Sequence, residues 1–143
     1  MRPYESDYAG WAEDTARAIW EGRWSDVDRG ALADEVADLA RKERRTLRSR
    51  FSILFAHLLK QRFQPAKSSR SWELTIAEQR LQLGELLQEN PSLARGSEIR
   101  ETMARAYAIA RLRASRESGL ALDLFPMDVP FSDAEIWGTR STE

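Results

Sequence analysis

Apolar side chains recur every three or four residues along most of the chain, which is the spacing of an amphipathic helix. The first such segment runs from about Asp7 to Glu21, with Ser6 as its predicted N-cap and Gly22 at its C-terminal end. Its apolar face comprises Tyr8, Trp11, Ala12, Thr15 and Ile19. The sequence therefore predicts a first amphipathic helix.

The second apolar pattern is much longer. It begins after Asp28, a predicted N-cap, and continues without proline to about Phe63, where Pro65 stops it. This length predicts one long helix, or two helices joined by a kink. Its apolar stripe consists of Leu32, Val36, Leu39, Leu47, Phe51, Leu54, Phe55, Leu58 and Leu59. Beside this stripe lies a basic stripe of Arg41, Arg44, Arg45 and Arg48.

Two further long helices follow. Ser69 or Ser71 is the predicted N-cap of a third helix. The apolar face of that helix comprises Trp72, Ile76, Leu83, Leu86 and Leu87. After a break at Pro91, a fourth helix runs from about Ser97 to Ser118 and ends at Gly119.

The C-terminal segment, Leu120 to Glu143, predicts a strap that ends in one helical turn, because Ser132 and Glu135 match a capping box. No strand pattern longer than a few residues and no internal repeat occurs in the sequence. We therefore predict an all-α fold: a single-domain helical bundle over residues 1–143 with one long central helix, three further main helices and the C-terminal strap.

Composition is that of an ordinary globular protein, with 42% hydrophobic and 31% charged residues. The chain contains no cysteine, which excludes disulfides, thiolate metal sites and cysteine nucleophiles. The N-terminal residues are polar, and no apolar run approaches the roughly 20 residues that a membrane span needs. We therefore expect a cytoplasmic protein without membrane association.

Charge is distributed unevenly although the net charge is only −1. Residues 1–40 carry 10 acids and 4 bases, residues 41–70 carry 1 acid and 10 bases, and residues 71–143 carry 12 acids and 8 bases. A basic block between acidic flanks indicates either ion pairing within the chain or an anionic partner.

Val36, Glu43, Arg50 and His57 follow one another at heptad spacing, so they lie on nearly one line of the long helix. Imidazole and carboxylate groups suit acid–base chemistry and several metal ions. However, Glu43 and His57 are 14 residues apart, about 21 Å along a helix, so they cannot bind one ion together. The sequence assigns no metal site and identifies no cofactor.

Polar side chains that border an apolar stripe need hydrogen-bond partners. We favour a structural network in which Glu43 and Arg50 pair with each other or across helices, while His57 bonds to Gln79 or Thr75. The same region is the candidate ligand site, and its full set of residues is Glu43, Arg50, His57, Trp72, Gln79 and Arg80.

A second candidate site lies at the predicted start of the third helix, where Lys67, Arg70 and Ser71 surround free backbone N–H groups. Such a helix N-terminus favours anions, including phosphate. Simple capping of a surface turn, with Trp72 anchored in the core, is the preferred interpretation.

Several short motifs in fixed order resemble a known family. The most specific stretch combines HLLK at 57–60, QP at 64–65, SRSW at 69–72 and QR at 79–80. On these residues the whole chain resembles the bacterial domain of unknown function 29 family, although Gln61 stands where members often carry an aromatic side chain. The resemblance implies an all-helical fold and a bacterial source, but no activity. The matched positions are Glu35, Glu43, His57, Lys60, Trp72, Gln79 and Arg80.

Three hypotheses for function stay open. The leading one is a non-catalytic interaction module with a protein partner that contacts the basic stripe, because the sequence contains no familiar catalytic motif. The second is a small-ligand or metal-dependent enzyme that uses Glu43, His57 and Arg80. The third, nucleic-acid binding through the basic stripe, is less favoured because the sequence pI is near 6.0. A homodimer is compatible with all three.

Overall fold

The computed structural model describes residues 1–139 and is all-α, with no β-strand in that range. Short 3₁₀ turns join its α-helices, which are α1 (Tyr8–Trp20), α2 (Arg29–Phe63), α3 (Arg70–Glu89), α4 (Gly96–Ser118) and α5 (Asp133–Trp137). The predicted all-α helical bundle is confirmed. The long second segment is one helix of 35 residues rather than two.

The chain divides into two compact units, Met1–Glu43 and Arg44–Glu143, with the boundary inside α2. Each unit has its own internal packing. The predicted single domain over residues 1–143 stays a prediction. Between residues 1 and 139, no helix combines the length and the apolar character that crossing a bilayer requires.

Local sequence signals set most of the helix ends. A carboxylate oxygen of Asp28 accepts a backbone hydrogen bond in the first turn of α2, and Ser69 caps α3. Gly119 follows α4 with φ of 77°, a left-handed conformation that favours glycine. Ser132 and Glu135 form the predicted capping box at α5.

One predicted cap is wrong. Asp7, not Ser6, caps α1, because its carboxylate accepts the Gly10 amide hydrogen bond at 2.9 Å. The helix consequently begins at Tyr8. An aspartate directly before the first helical turn also places a negative charge at the positive end of the helix dipole.

In the first unit, an aromatic cluster holds the N-terminal segment. The hydroxyls of Tyr4 and Tyr8 both donate hydrogen bonds to the carboxylate of Glu35 on α2. The ring centres of Tyr4 and Trp11 lie 4.7 Å apart, and Trp11 is buried. The hydrogen bond to Glu35 raises the pKa of Tyr4 to about 12. Glu35 therefore has a structural role.

The first half of the predicted apolar stripe on α2 is not buried. Val36 is 57% exposed and Leu39 is 65% exposed. Tyr8, predicted on the apolar face of α1, is also exposed, and its hydroxyl reaches Glu35. Hydrophobic periodicity identifies the apolar side of a helix, but not whether another element covers that side.

Residues 44–139 contain the larger core. The last turns of α2 are deeply buried, as predicted, and Phe51, Leu54, Phe55 and Leu59 have no exposed surface. Each such side chain stabilises the fold by about 1.5–3 kcal/mol. They share one cluster with residues from α3, α4 and the C-terminal segment, including Ile76, Leu83, Tyr107, Phe125, Phe131 and Ile136.

Candidate functional site

His57 lies on α2 and is partly buried. Its Nδ1 lies 2.8 Å from the carbonyl oxygen of Ile53, one turn earlier on the same helix. The predicted partners, Gln79 and Thr75, are wrong, and the Thr75 hydroxyl instead donates to the carbonyl of Ser71 at 3.0 Å. The carbonyl four residues earlier is always within reach on a helix, so it competes with side chains from other helices.

The environment of His57 favours its neutral form. Burial lowers its pKa below the ordinary 6.5, and the positive charges of Lys60 and Arg113 act in the same direction. The hydrogen bond to Ile53 and the carboxylate of Glu117 oppose the decrease without cancelling it. Because a carbonyl can only accept, Nδ1 carries the proton and Nε2 is unprotonated in the neutral ring.

Lys60 is the most buried cation of the described residues, with 8% of its surface exposed. Its Nζ donates to Glu117 of α4 at 2.6 Å and lies 5.1 Å from the centre of the Trp72 ring on α3. Partial burial opposes ionisation of Glu117, but the Lys60 hydrogen bond and charge outweigh it, so the pKa of Glu117 lies below its usual range. The ion pair joins α2 to α4, and the contact with the Trp72 ring joins α2 to α3.

Two other candidates, Arg50 and Gln79, belong to the second unit. The guanidinium of Arg50 on α2 donates a hydrogen bond to the side-chain oxygen of Gln82 on α3. One of the polar residues at heptad spacing on α2 therefore has a partner on another helix. Gln79 is buried, and its Oε1 has no hydrogen-bond partner among residues 1–139. Glu43 belongs to the first unit, where it is partly buried on α2.

Arg80 holds the C-terminal helix α5. Its Nε donates to the carbonyl of Ile136 at 2.9 Å, and its Nη2 donates to the carbonyl of Glu135 at 2.6 Å. Gly138 follows with φ of 69°, and a Cβ there would lie 2.6 Å from Arg80 Nη1. The Nε and Nη2 groups of Arg80 therefore bind backbone oxygens of α5 rather than a ligand.

The predicted anion site at the start of α3 consists of exposed side chains. Lys67, Arg70 and Ser71 are all exposed, and the hydroxyl of Ser69 accepts the Trp72 amide at 3.3 Å. The geometry agrees with capping of a surface turn. Anion binding there stays a prediction.

The basic stripe contributes to an open groove between α2 and α4. This groove, which we call the basic groove, has a volume of about 490 Å³ and is lined by Arg44, Arg48, Ser97, Glu98, Glu101, Thr102 and Arg105. Arg44 Nε lies 2.9 Å from Glu98 Oε1, and Arg105 Nη2 lies 2.9 Å from Glu101 Oε1. Arg48 is partly buried and makes no ion pair with any residue in the range 1–139.

The electrostatics of the basic groove favour an anion. Three arginines face two glutamates, which leaves one positive charge uncompensated. The first turn of α4 forms part of the wall, and its N-cap residue, Arg95, provides no side-chain hydrogen bond to the free N–H groups. Uncapped N–H groups and the helix dipole add positive potential at this end of the groove.

The model of one protein family, Domain of unknown function DUF29, matches residues 3–139 of the chain. The chain belongs to the DUF29 family. The resemblance seen in the motifs is thus confirmed over nearly the whole length. Neither the curated proteins nor the solved structures include one that matches. Because the function of the family is unknown, membership assigns no activity to this DUF29 chain.

In this DUF29 chain, the motif residues mostly contact one another or the backbone. Lys60 pairs with Trp72 and Glu117, whereas Arg80 binds α5, and no described contact joins Arg80 to His57. Within residues 1–139, His, Asp and Glu side chains form no group of three or more suited to a metal ion. What the geometry offers chemically is a stabilising network and, separately, an open groove with one uncompensated positive charge.

Sequence reasoning missed the acidic partners of the basic residues. Glu117 lies 57 positions from Lys60, and Glu98 lies 54 positions from Arg44. One signal was available, because Lys60 directly follows Leu58 and Leu59 of the apolar stripe, where a buried cation requires a counter-charge. The spacing of Glu98 gives no comparable signal.

Proposed function

We propose that this chain is a non-catalytic protein-interaction module and that its partner inserts an acidic segment into the basic groove. The observation that carries the proposal is Arg48, a partly buried arginine with no ion pair among residues 1–139. A charged group that is partly removed from water gains from a counter-ion. A partner carboxylate would supply it.

The surroundings of Arg48 support an extended acidic partner rather than a single carboxylate. Arg44 and Arg105 lie in the same groove, and each is already paired with a glutamate through one nitrogen. A guanidinium has five N–H donors, so both can bind a further carboxylate without losing the first. Arg45, exposed next to the groove, extends the positive surface along α2.

The contacts of the candidate catalytic residues also favour an interaction role. His57 is hydrogen-bonded to its own helix, Lys60 is enclosed by Trp72 and Glu117, and Arg80 binds two carbonyl oxygens. A general acid or base has to reach its substrate. The charged groups of Lys60 and Arg80 are held by internal partners instead. The bacterial, cytoplasmic setting predicted from the sequence stays a prediction, which fractionation of host cells tests.

The experiment compares three tagged forms of the full chain: wild type, Arg48→Glu and the control Arg116→Glu. Arg116 is exposed near the end of α4 and outside the groove, so it matches the charge change. Each form is expressed in the host, cross-linked, treated with nuclease and analysed by mass spectrometry. The captured protein is then purified, and its binding to each form is measured directly.

We expect one stoichiometric partner that binds wild type and Arg116→Glu alike, and binds Arg48→Glu at least about tenfold more weakly, since a charge-assisted hydrogen bond contributes about 1.5–3 kcal/mol. Circular dichroism establishes that all three forms fold. Equal binding by the two variants would refute the groove. If nuclease treatment leaves no captured protein, and purified nucleic acid binds wild type with steeply salt-dependent affinity, nucleic-acid binding would replace the proposal.

A further inference from the structure

A pocket of about 430 Å³ lies between α4 and residues 127–136, entirely within the second unit. This volume is in the range of small-molecule sites, about 300–1,000 Å³. Residues 100, 103, 104 and 107 of α4 line the pocket, whereas residues 98, 101, 102 and 105 line the basic groove. The two sets are about half a turn apart around the helix, so the pocket and the groove lie on opposite sides of α4.

The buried part of the pocket lining is apolar. Tyr107, Phe131 and Ile136 are buried, and Met103 is partly buried beside them. Met127 also lines the pocket and is 77% exposed. Methionine side chains adapt to irregular apolar surfaces and make favourable contacts with aromatic rings. A ligand with an aromatic or other apolar body would therefore remove apolar surface from water, including that of Met127.

Charged side chains decide which apolar ligand fits this pocket. Asp128 and Asp133 are exposed lining residues, and neither makes an ion pair with any residue in the range 1–139. Arg100 is the one cationic side chain among the described lining residues, and it makes no ion pair within that range either. Two carboxylates and one guanidinium leave one negative charge uncompensated. We call this site the acidic pocket.

The charge of Asp128 acts on the buried part of the acidic pocket. Burial raises the pKa of the Tyr107 hydroxyl, and Asp128 acts in the same direction, whereas Arg111 and Arg62 oppose the increase. The Tyr107 hydroxyl donates to the carbonyl of Pro126 at 2.6 Å, so its proton is not available to an anionic ligand. An anion near Tyr107 would be repelled by Asp128 without gaining this donor, whereas a cation would be attracted.

We propose that the acidic pocket binds a small organic cation. The ammonium group of the ligand pairs with Asp128 and Asp133. Its apolar body packs on Met103 and on the rings of Tyr107 and Phe131. Both carboxylates are exposed, so water and salt reduce the strength of the ion pairs, and the apolar contacts contribute much of the affinity. The inference does not rest on the basic groove.

Methionine methyl groups allow a direct test. Of the three methionines, Met103 and Met127 line the acidic pocket, whereas Met1 belongs to the first unit and is an internal control. The full chain, isotope-labelled at its methionine methyl groups, is titrated by NMR with three probes of similar size. Phenethylamine is a cation at neutral pH, phenethyl alcohol is neutral and phenylacetate is an anion.

We expect phenethylamine to shift the Met103 and Met127 signals saturably and to leave the Met1 signal unchanged. It should bind about tenfold more tightly than phenethyl alcohol, which is the lower end of what a hydrogen bond to a charged group contributes, because Asp128 and Asp133 are exposed. Phenylacetate should cause no saturable shift.

Substitution of both carboxylates tests their role. The double variant with Asp128→Asn and Asp133→Asn should bind phenethylamine as weakly as phenethyl alcohol. Asp123→Asn is the matched control and should bind like wild type, because Asp123 is exposed in the same segment but does not line the pocket. Circular dichroism verifies the helix content of each variant.

Three results would contradict the proposal. Equal binding of phenethylamine and phenethyl alcohol to wild type, or an unchanged affinity in the double variant, would overturn the selection of a cation by the two carboxylates. Tighter binding of phenylacetate would assign the pocket to anions instead. No saturable shift of Met103 or Met127 with phenethylamine, or an equal shift of Met1, would overturn the binding site itself.

Discussion

Replacing Arg80 by lysine tests how α5 is held, because the change keeps the positive charge but removes the planar guanidinium group with its several N–H donors. Arg80 donates to two consecutive carbonyls, those of Glu135 and Ile136, at 2.6 and 2.9 Å. A single ammonium group on a flexible chain cannot reproduce both bonds in that geometry. Helix α5 has only five residues, so it depends on such external contacts.

The expected loss follows from the two hydrogen bonds. A hydrogen bond to a charged group contributes about 1.5–3 kcal/mol, and lysine can retain one of the two. Because Glu135 is exposed, water compensates part of the lost bond. We expect Arg80→Lys to lower the free energy of unfolding by about 1–2 kcal/mol, which corresponds to roughly 2–8 °C in Tm for a protein of this size.

Urea unfolding followed by circular dichroism measures the loss, and hydrogen exchange locates it. Amides of residues 131–139 should exchange faster in Arg80→Lys, whereas those of α1 should not change. Arg116→Lys is the control, since Arg116 is exposed on α4. If Arg80→Lys matched this control in both stability and exchange, Arg80 would not anchor α5, and its availability to a ligand would have to be reconsidered.

Three further predictions concern single contacts of the second unit. Tyr107→Phe removes a hydrogen bond of 2.6 Å to the carbonyl of Pro126 and should cost about 1–2 kcal/mol in urea unfolding. Gly138→Ala should cost about 1–2 kcal/mol for its left-handed backbone and more where the new Cβ displaces Arg80, and thermal unfolding measures it. Burial lowers the pKa of His57 in the folded state, so its contribution to the free energy of unfolding should be full above pH 6.5 and fall as the pH decreases below 6.5. Urea unfolding between pH 7.5 and 5 measures this dependence, and His57→Gln should show a flatter profile.

Helix boundaries were predictable because the signals that set them are local. Asp28, Ser69 and the Ser132–Glu135 box act through hydrogen bonds within one turn of the chain, and Gly119 acts through its own φ. The one wrong cap, Ser6 instead of Asp7, was an error between neighbouring residues that are both good acceptors. No tertiary information is needed for such features.

Burial and pairing were less predictable because they depend on distant parts of the chain. Val36 and Leu59 look alike in the apolar pattern of α2, yet one is exposed and the other fully buried. His57 was expected to bond to a side chain of α3, but its described hydrogen bond is with the Ile53 carbonyl on its own helix. The helical period of 3.6 residues shows on which side of a helix a side chain lies, but it does not show which other part of the chain packs against that side.

The contacts of the motif residues change where a function should be sought in this chain. His57, Lys60, Trp72 and Arg80 carry much of the family resemblance, and residues of this kind invite interpretation as an active site. In this structure Lys60 and Arg80 each hold two helices together, and substitution of either removes an internal partner. A loss of function on mutating either residue would therefore indicate lost stability of the fold before it indicated a catalytic role. A surface change such as Arg48→Glu avoids this ambiguity, because Arg48 makes no ion pair with any residue in the range 1–139 that the change would break.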